Sequence, residues 1–284
     1  LGKESLLGQL VRQPSGLIGI VVVVGLVVVA LAAPLLAPYD PAAQDIASRL
    51  QGPSLSHLLG TDQLGRDLLS RLMFGTRIAL GVALPAVVAA LGIGLVLGLV
   101  AGYIGGRTDN VLLVILDTLQ SIPAVVLALI LIALLGSSLG NVIVVIAAAY
   151  IPNYARVSRA LVMSTKEHPF VEAERTLGAS SARIVAIHIL PNIIAPLFIL
   201  VAMDVPYAIT IEAGLSFLGL GVHPPTPSWG VILADGFQRV RDAPWAVIWT
   251  GVTLMVGTLG FTLLGEALRD TADPRVAGLR KGRR

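Results

Sequence analysis

Glu172-Ala173-Glu174-Arg175-Thr176-Leu177-Gly178, followed after nine intervening residues by His188-Ile189-Leu190-Pro191, is a polar insertion in an apolar chain. Apolar runs flank it, residues 141–163 before it and 192–217 after it. A bilayer core takes about 20 predominantly apolar residues per helix, and both runs meet that length. The insertion therefore reads as a helix-forming loop held on the water side of a membrane.

The rest of the chain agrees. Of 284 residues, 55% are hydrophobic and 13% charged, against about 25% charged in a soluble domain. Four more long apolar runs lie at 16–37, 78–101, 111–135 and 244–268. The expected fold class is an all-α membrane protein with about six transmembrane helices, and no period-2 barrel pattern is seen. Prolines inside membrane helices are tolerated, so Pro85, Pro123, Pro152, Pro196 and Pro206 are expected to kink the spans without breaking them. The chain starts at Leu1, so the native start is expected upstream. The run from Leu17 to Ala33 has no small-residue cleavage site and reads as a retained signal anchor.

Charge placement sets the expected topology. With both termini cytoplasmic, 14 of the 20 Lys and Arg residues fall on inner segments, as the positive-inside rule requires. The organisation is then a cytoplasmic segment at 1–15, a first span at 16–37, an outer loop at 38–77, a permease-like core at 78–268 containing an inner loop at 164–191, and a basic inner tail at 269–284. In the outer loop, Leu64, Leu68 and Leu72 are at helical spacing with Arg66, Asp67, Ser70 and Arg71 between them, which predicts a short amphipathic helix at the interface. In the second span, Ala86, Ala90, Gly94, Gly98, Gly102 and Gly106 recur every fourth residue. Such a ridge of small residues predicts close helix packing.

Several chemistries are excluded or disfavoured. Without cysteine there is no disulfide, thiolate metal site or cysteine nucleophile. None of the three lysines follows a phosphate-binding glycine loop. The four histidines have no metal-ligand spacing. Gly136-Ser137-Ser138-Leu139-Gly140 matches a hydrolase nucleophile elbow by letters, but it sits in a turn between two membrane helices. Nothing points to nucleic acid. The tail from Arg275 to Arg284 suits anionic lipid.

Within the inner loop, Pro169 suits the first helical position. Phe170, Ala173 and Leu177 fall on one face, with Glu172, Glu174 and Arg175 around it. Gly178 fits a left-handed helix end, Ser180 or Ser181 a second cap, and Pro191 a return into the membrane. A short amphipathic helix of this kind suits a groove on a partner. Asp117, Asp204 and Glu212 lie inside apolar runs, where acids are costly and face a cavity or a partner. Asp204 and Glu212 are about two turns apart on nearly one face. They read either as lining a substrate path or as structural hydrogen bonds.

The loop resembles the cytoplasmic "EAA" loop of ABC-importer permeases: Glu172, Ala173, Gly178, Leu190 and Pro191 match at its spacing. Glu174 replaces the usual second Ala, and His188 stands where Ile is usual. His188-Ile189-Leu190-Pro191-Asn192, Gly60-Thr61-Asp62-Gln63-Leu64-Gly65-Arg66-Asp67, the run Glu212 to Gly221, Pro227-Ser228-Trp229-Gly230 and Asp273-Pro274-Arg275 resemble the dipeptide/oligopeptide (C-type) subfamily. The resemblance covers nearly the whole chain. It implies a type I importer permease in the bacterial plasma membrane, a non-catalytic multi-pass subunit with no cofactor of its own. It also implies a second permease, two ATPases that bind ATP and Mg, an extracytoplasmic peptide-binding protein and a peptide substrate. By the same resemblance Phe170, Glu172, Ala173, Glu174, Leu177, Gly178, Leu190 and Pro191 form the ATPase-coupling site. Nickel complexes or glutathione are alternative substrates within the family. A proton-coupled secondary transporter is the alternative class. It would use the intramembrane acids but leaves the helix-turn-helix unexplained, and no inverted repeat of broken helices is evident.

Overall fold

A computed structural model describes residues 6–272. Among them the regular structure is helical: α1 (Leu6–Val11), α2 (Pro14–Leu36), a 3-10 turn (Ile46–Ser48), α3 (Leu68–Ile104), α4 (Gly106–Gln120), α5 (Ala124–Leu135), α6 (Leu139–Lys166), α7 (Pro169–Thr176), α8 (Ser181–Arg183), a π-helical stretch (Ile184–Ile189), α9 (Leu190–Phe217), α10 (Trp229–Phe237) and α11 (Pro244–Ala272). Four stretches are long and apolar enough to cross a membrane: α2, α3, the continuous helix Ser181–Phe217, and α11. The α4–α5 pair makes a fifth if it counts as one bent span. Helix α6 has the length, 28 residues, but its polar second half keeps it from qualifying alone. All six predicted runs are thus helical. The predicted tail lies outside the described residues from 273 onward.

Three local expectations are corrected. The run at 111–135 is two helices bent by 88° at a short break, so Pro123 breaks where a kink was expected. Its missing N–H cannot extend the α4 ladder, and the residue before a proline is pushed out of helical geometry. The Ser121 hydroxyl meanwhile bonds back to the Thr118 carbonyl at 2.7 Å. Second, Pro191 does not turn the chain, since helix runs through it from Ser181 to Phe217. The π-helical stretch just before it re-pairs the backbone, with the Leu190 N–H reaching Val185 O, and the Asn192 side chain donates to the His188 carbonyl at 2.6 Å. Third, no separate amphipathic helix precedes the second span. Helix α3 begins at Leu68 and is 37 residues long, and the charges predicted to face water are buried.

The chain forms two compact units. One comprises residues up to Pro85, Ile132–Ile143, and Ala202 onward; the other comprises Ala86–Leu131 and Val144–Val201.

In the first unit α2 lies along α11. A Cβ on Gly19 would meet the Leu264 backbone at 2.6 Å, and Gly260 packs on the Val22 side chain. The indole of Trp229 is fully buried and donates to the Leu72 carbonyl at 3.1 Å. Trp245 donates to the Thr61 carbonyl at 3.1 Å. The first bond pins the start of α3 to α10, and the second pins the loop before α3 to α11. Charges inside the unit are neutralised locally. Asp62 accepts from Arg66 Nε at 2.6 Å and from Arg71, and Asp235 of α10 lies 3.1 Å from Arg66 and 3.5 Å from Arg71. Asp67 caps the start of α3 by accepting from the Ser70 N–H and hydroxyl at 2.8 and 2.7 Å. Burying these ions is costly unless each is paired, and the pairing explains why an apparent solvent face folds inward. On the loop surface, Asp45 caps the 3-10 turn; the Ser48 hydroxyl and Ala47 N–H hold its carboxyl below the ordinary carboxylate value.

In the second unit the small-residue ridge of α3 meets α6. A Cβ on Gly94 would lie 2.5 Å from Tyr154 Cβ, one on Gly98 2.5 Å from Ser158 Cβ, and one on Gly102 2.9 Å from Val162 Cβ. The ridge ends there. Gly106, predicted to continue it, opens α4 after the chain turns through positive φ at Gly105 and Gly106.

Candidate functional site

The helix-turn-helix insertion folds within the second unit. His168 is the N-cap in extended conformation and Pro169 follows at the first helical position, where its lack of an N–H leaves no bond unmade. Glu172 in the first turn and Arg175 in the last complement the helix dipole. The C-terminus closes as a Schellman motif: Ala179 N–H bonds Glu174 O and Gly178 N–H bonds Arg175 O, each at 3.0 Å. Gly178 holds φ +81°, the left-handed conformation in which glycine has no steric penalty. Ser180, not Ser181, caps the next helix, accepting from Arg183 N–H.

An eight-residue helix is too short to persist alone in water, so its tertiary ties decide its orientation. Its buried anchor is Val171, fully shielded, which the sequence reading overlooked. Arg175 sits over the Tyr103 ring near the end of α3, 5.9 Å from its centroid. Glu174 Oε1 lies 3.5 Å from His188 Nε2 on the π-helical stretch. The Phe170 ring stacks on His168 at 5.6 Å and lies 6.5 Å from His188. Phe170 is 42% exposed and Leu177 82% exposed. Glu172 and Ala173 are exposed as well, Leu190 is half-buried, and Pro191 is exposed. The structure therefore places six of the eight candidate coupling residues on α7 and its turn, and the other two, Leu190 and Pro191, at the start of α9 just after the π-helical stretch. It divides them by contact: Phe170 and Glu174 are engaged by His188, while Leu177 projects free of this chain.

Of the three intramembrane acids, one lies in the second unit and two in the first. Asp117 pairs with Arg156 at 2.6 Å on an exposed surface of the second unit. In the first unit Glu212 is fully buried and accepts from the Ser216 hydroxyl at 2.7 Å, and that hydroxyl accepts from Val222 N–H at 3.1 Å. Asp204 is buried in the same unit. A further acid passed unnoticed in the sequence: Asp109 makes a two-pronged pair with Arg159 at 2.5 and 2.6 Å. Opposite charges near the ends of two apolar runs were the available signal. Next to it, Lys166 donates to the Gly102 carbonyl at 2.9 Å. Ser137 of the hydrolase-like motif pairs with His223 at 2.5 Å, but it lies in the helix-to-helix turn between α5 and α6, as expected, and not on a strand-to-helix elbow.

The architecture defines a multi-span helical membrane protein with a polar insertion built as a braced, partly apolar surface helix. Residues 94–278 match the family described as binding-protein-dependent transport system inner membrane component, and residues 5–53 match the N-terminal transmembrane domain of oligopeptide transport permease C. The chain belongs to this family of inner-membrane ABC-importer permeases. It is 41% identical over 271 residues to the dipeptide transport system permease protein DppC of Escherichia coli K12, covering 93% of this chain and 90% of that protein. It is 38% identical over 268 residues to DppC of Alkalihalophilus pseudofirmus, covering 94% and 88%. It is 39% identical over 259 residues to the nickel transport system permease protein NikC of E. coli K12, covering 91% and 94%. In fold it is similar to a chain of the MetNI methionine ABC transporter, with a TM-score of 0.57 at 20% identity, covering 72% of this chain and 97% of that one.

Proposed function

We propose that this chain forms half of the translocation path of an ATP-driven importer for dipeptides or short peptides, with α7 as the element that an ATPase subunit holds. The observation that carries the substrate class is whole-length similarity to dipeptide permeases from two organisms. The observation that supports coupling is Leu177, an apolar side chain 82% exposed at the end of a helix fixed by a Schellman turn. An exposed apolar anchor on a short rigid helix fits insertion into a partner groove. In this reading both termini and α7 face the cytoplasm. A second permease completes the path, two ATPases supply ATP and Mg chemistry, and an extracytoplasmic binding protein delivers the ligand. ATP-driven closure of the ATPases displaces α7, and the attached spans rock to open the path outward.

Nickel, as a small complex, is the second substrate reading, because the nickel permease is as similar as the dipeptide permeases. Proton coupling is weaker, because Asp117 and Asp109 each face an arginine and Glu212 is held by Ser216. The test is reconstitution of the complete transporter in proteoliposomes with its binding protein. ATP-dependent uptake of a labelled dipeptide is expected. ATP-dependent uptake of nickel alone would transfer the assignment to the second reading. Uptake by the lone chain under a pH gradient without ATP would overturn both.

A further inference from the structure

We propose that His188 is a positioning residue that clamps α7 to the π-helical stretch leading into α9, so that the two move as one body. Three observations converge on it. Its Nε2 lies 3.5 Å from Glu174. Its ring lies 6.5 Å from Phe170, whose other neighbour is His168. Phe170 and Glu174 are four residues apart and so share one face of α7, and His188 meets both. The clamp is seated on a π-helical stretch whose backbone is re-paired by Leu190 N–H and the Asn192 side chain. Such wide turns occur mostly as single-turn bulges inside α-helices and are frequent at functional sites.

The two positions that depart from the loop pattern, Glu174 and His188, are the two that touch. An acid in place of alanine and an imidazole in place of isoleucine are explained together: a polar contact stands where the usual pair would offer two apolar side chains. Glu174 and His188 are each about a quarter exposed in their side chains, so the pair contributes little to global stability. Its effect is on direction. Without it, α7 keeps the Val171 anchor and Arg175 over Tyr103 but loses its tie to the π-helical stretch, and the helix can swing about its glycine turn while that stretch stays still.

This inference rests on α7 being the coupling helix, but its first readout does not. The chain has no cysteine, so spin labels can be placed at Thr176→Cys and Ala195→Cys, both exposed, in the complete transporter in lipid nanodiscs. With His188 present, pulsed electron resonance is expected to give one narrow distance, the same with and without ATP. His188→Ala and Glu174→Ala are each expected to broaden it, with the double substitution no broader than either single one. Glu174→Ala with His188→Ile is expected to narrow it again by apolar contact, which separates loss of the clamp from misfolding. The same variants should consume more ATP per ligand imported than the wild type. A narrow, unchanged distance in His188→Ala would overturn the clamp. A broadened distance in a complex that never binds an ATPase through α7 would uphold the clamp and overturn the coupling reading.

Discussion

The Glu212 carboxylate accepts a 2.7 Å hydrogen bond from the hydroxyl of Ser216, one helical turn on, and that hydroxyl in turn accepts from the Val222 N–H. The second bond ties the loop that leaves α9 back onto its last turn. Glu212 is fully buried. Its burial within this chain and its bond to Ser216 fit the structural alternative. Replacing Glu212 with Ala leaves the buried Ser216 hydroxyl without its acceptor, a cost of about 1–3 kcal/mol. Glu212→Ala is expected to lower the melting temperature in detergent and the yield of folded protein, while Glu212→Gln, which keeps an acceptor, recovers much of both. A full-yield Glu212→Ala protein with altered ligand preference would instead put this side chain on the substrate path.

Gly178 is expected to be intolerant for a different reason. A Cβ there would meet nothing within 4 Å, so crowding is not the issue. The backbone is: at φ +81° an L-residue costs about 1–2 kcal/mol. That is too little to unfold the chain and enough to re-aim an eight-residue helix. Gly178→Val should therefore yield normal amounts of protein and retain ATP hydrolysis in the assembled transporter while losing uptake. Gly178→Asn, which tolerates the left-handed conformation better, should keep part of the uptake. Parallel assays of hydrolysis and transport on the two variants decide the matter.

Much of this was legible in the sequence, for identifiable reasons. Apolar runs long enough for a bilayer have few alternatives to helix: five of the six lie in single helical stretches, and the run at 111–135 became two helices. The every-fourth-residue ridge found its partner because only small residues allow α3 and α6 so close. The inner loop was readable because Pro169, Gly178 and Ser180 each have a backbone role set by their own chemistry. The misses share a cause as well. Arg66, Asp67 and Arg71 looked like a solvent face because local periodicity cannot show that Asp62 and Asp235 would neutralise the cluster, and Asp235 is over 160 residues away. Val171 was passed over because a helix of two turns has too few residues to reveal which face turns inward. The meaning of Glu174 needed the three-dimensional position of His188.

The ridge yields a paired prediction. On Gly98 a methyl group would lie 2.5 Å from Ser158 Cβ and 2.6 Å from the Ala155 carbonyl, whereas on Gly92 it would meet nothing within 4 Å. Overpacking of this kind costs about 1–3 kcal/mol. Gly98→Ala is expected to reduce thermal stability and Gly98→Leu to abolish the folded protein, while Gly92→Ala in the same helix changes neither. Equal tolerance at both positions would remove the case for close α3–α6 packing.

The Asp62 cluster separates two views of buried charge. Arg71 and Asp62 are almost wholly shielded, Arg71 at 1% and Asp62 at 4% exposure, and each is the other's direct partner. Removing one partner of a buried pair typically costs about 3–5 kcal/mol, because the survivor stays buried without its counter-ion, whereas replacing both by apolar residues is often nearly neutral. Here the survivor is not left alone. After Asp62→Asn, Arg71 keeps Asp235 at 3.5 Å; after Arg71→Met, Asp62 keeps Arg66 at 2.6 Å. Asp62→Asn should therefore be the more harmful of the two: it leaves two arginines sharing one partly exposed carboxylate, and it also weakens the acceptor that holds the Leu64 and Arg66 N–H groups. The expected order of melting temperatures is wild type, then Arg71→Met, then Asp62→Asn. Asp62→Asn combined with Arg71→Met should be more stable than Asp62→Asn alone, since it removes the surplus positive charge. If the double variant is instead the least stable of the four, the cluster stabilises through packing of the Arg71 stem against its neighbours and not through charge balance.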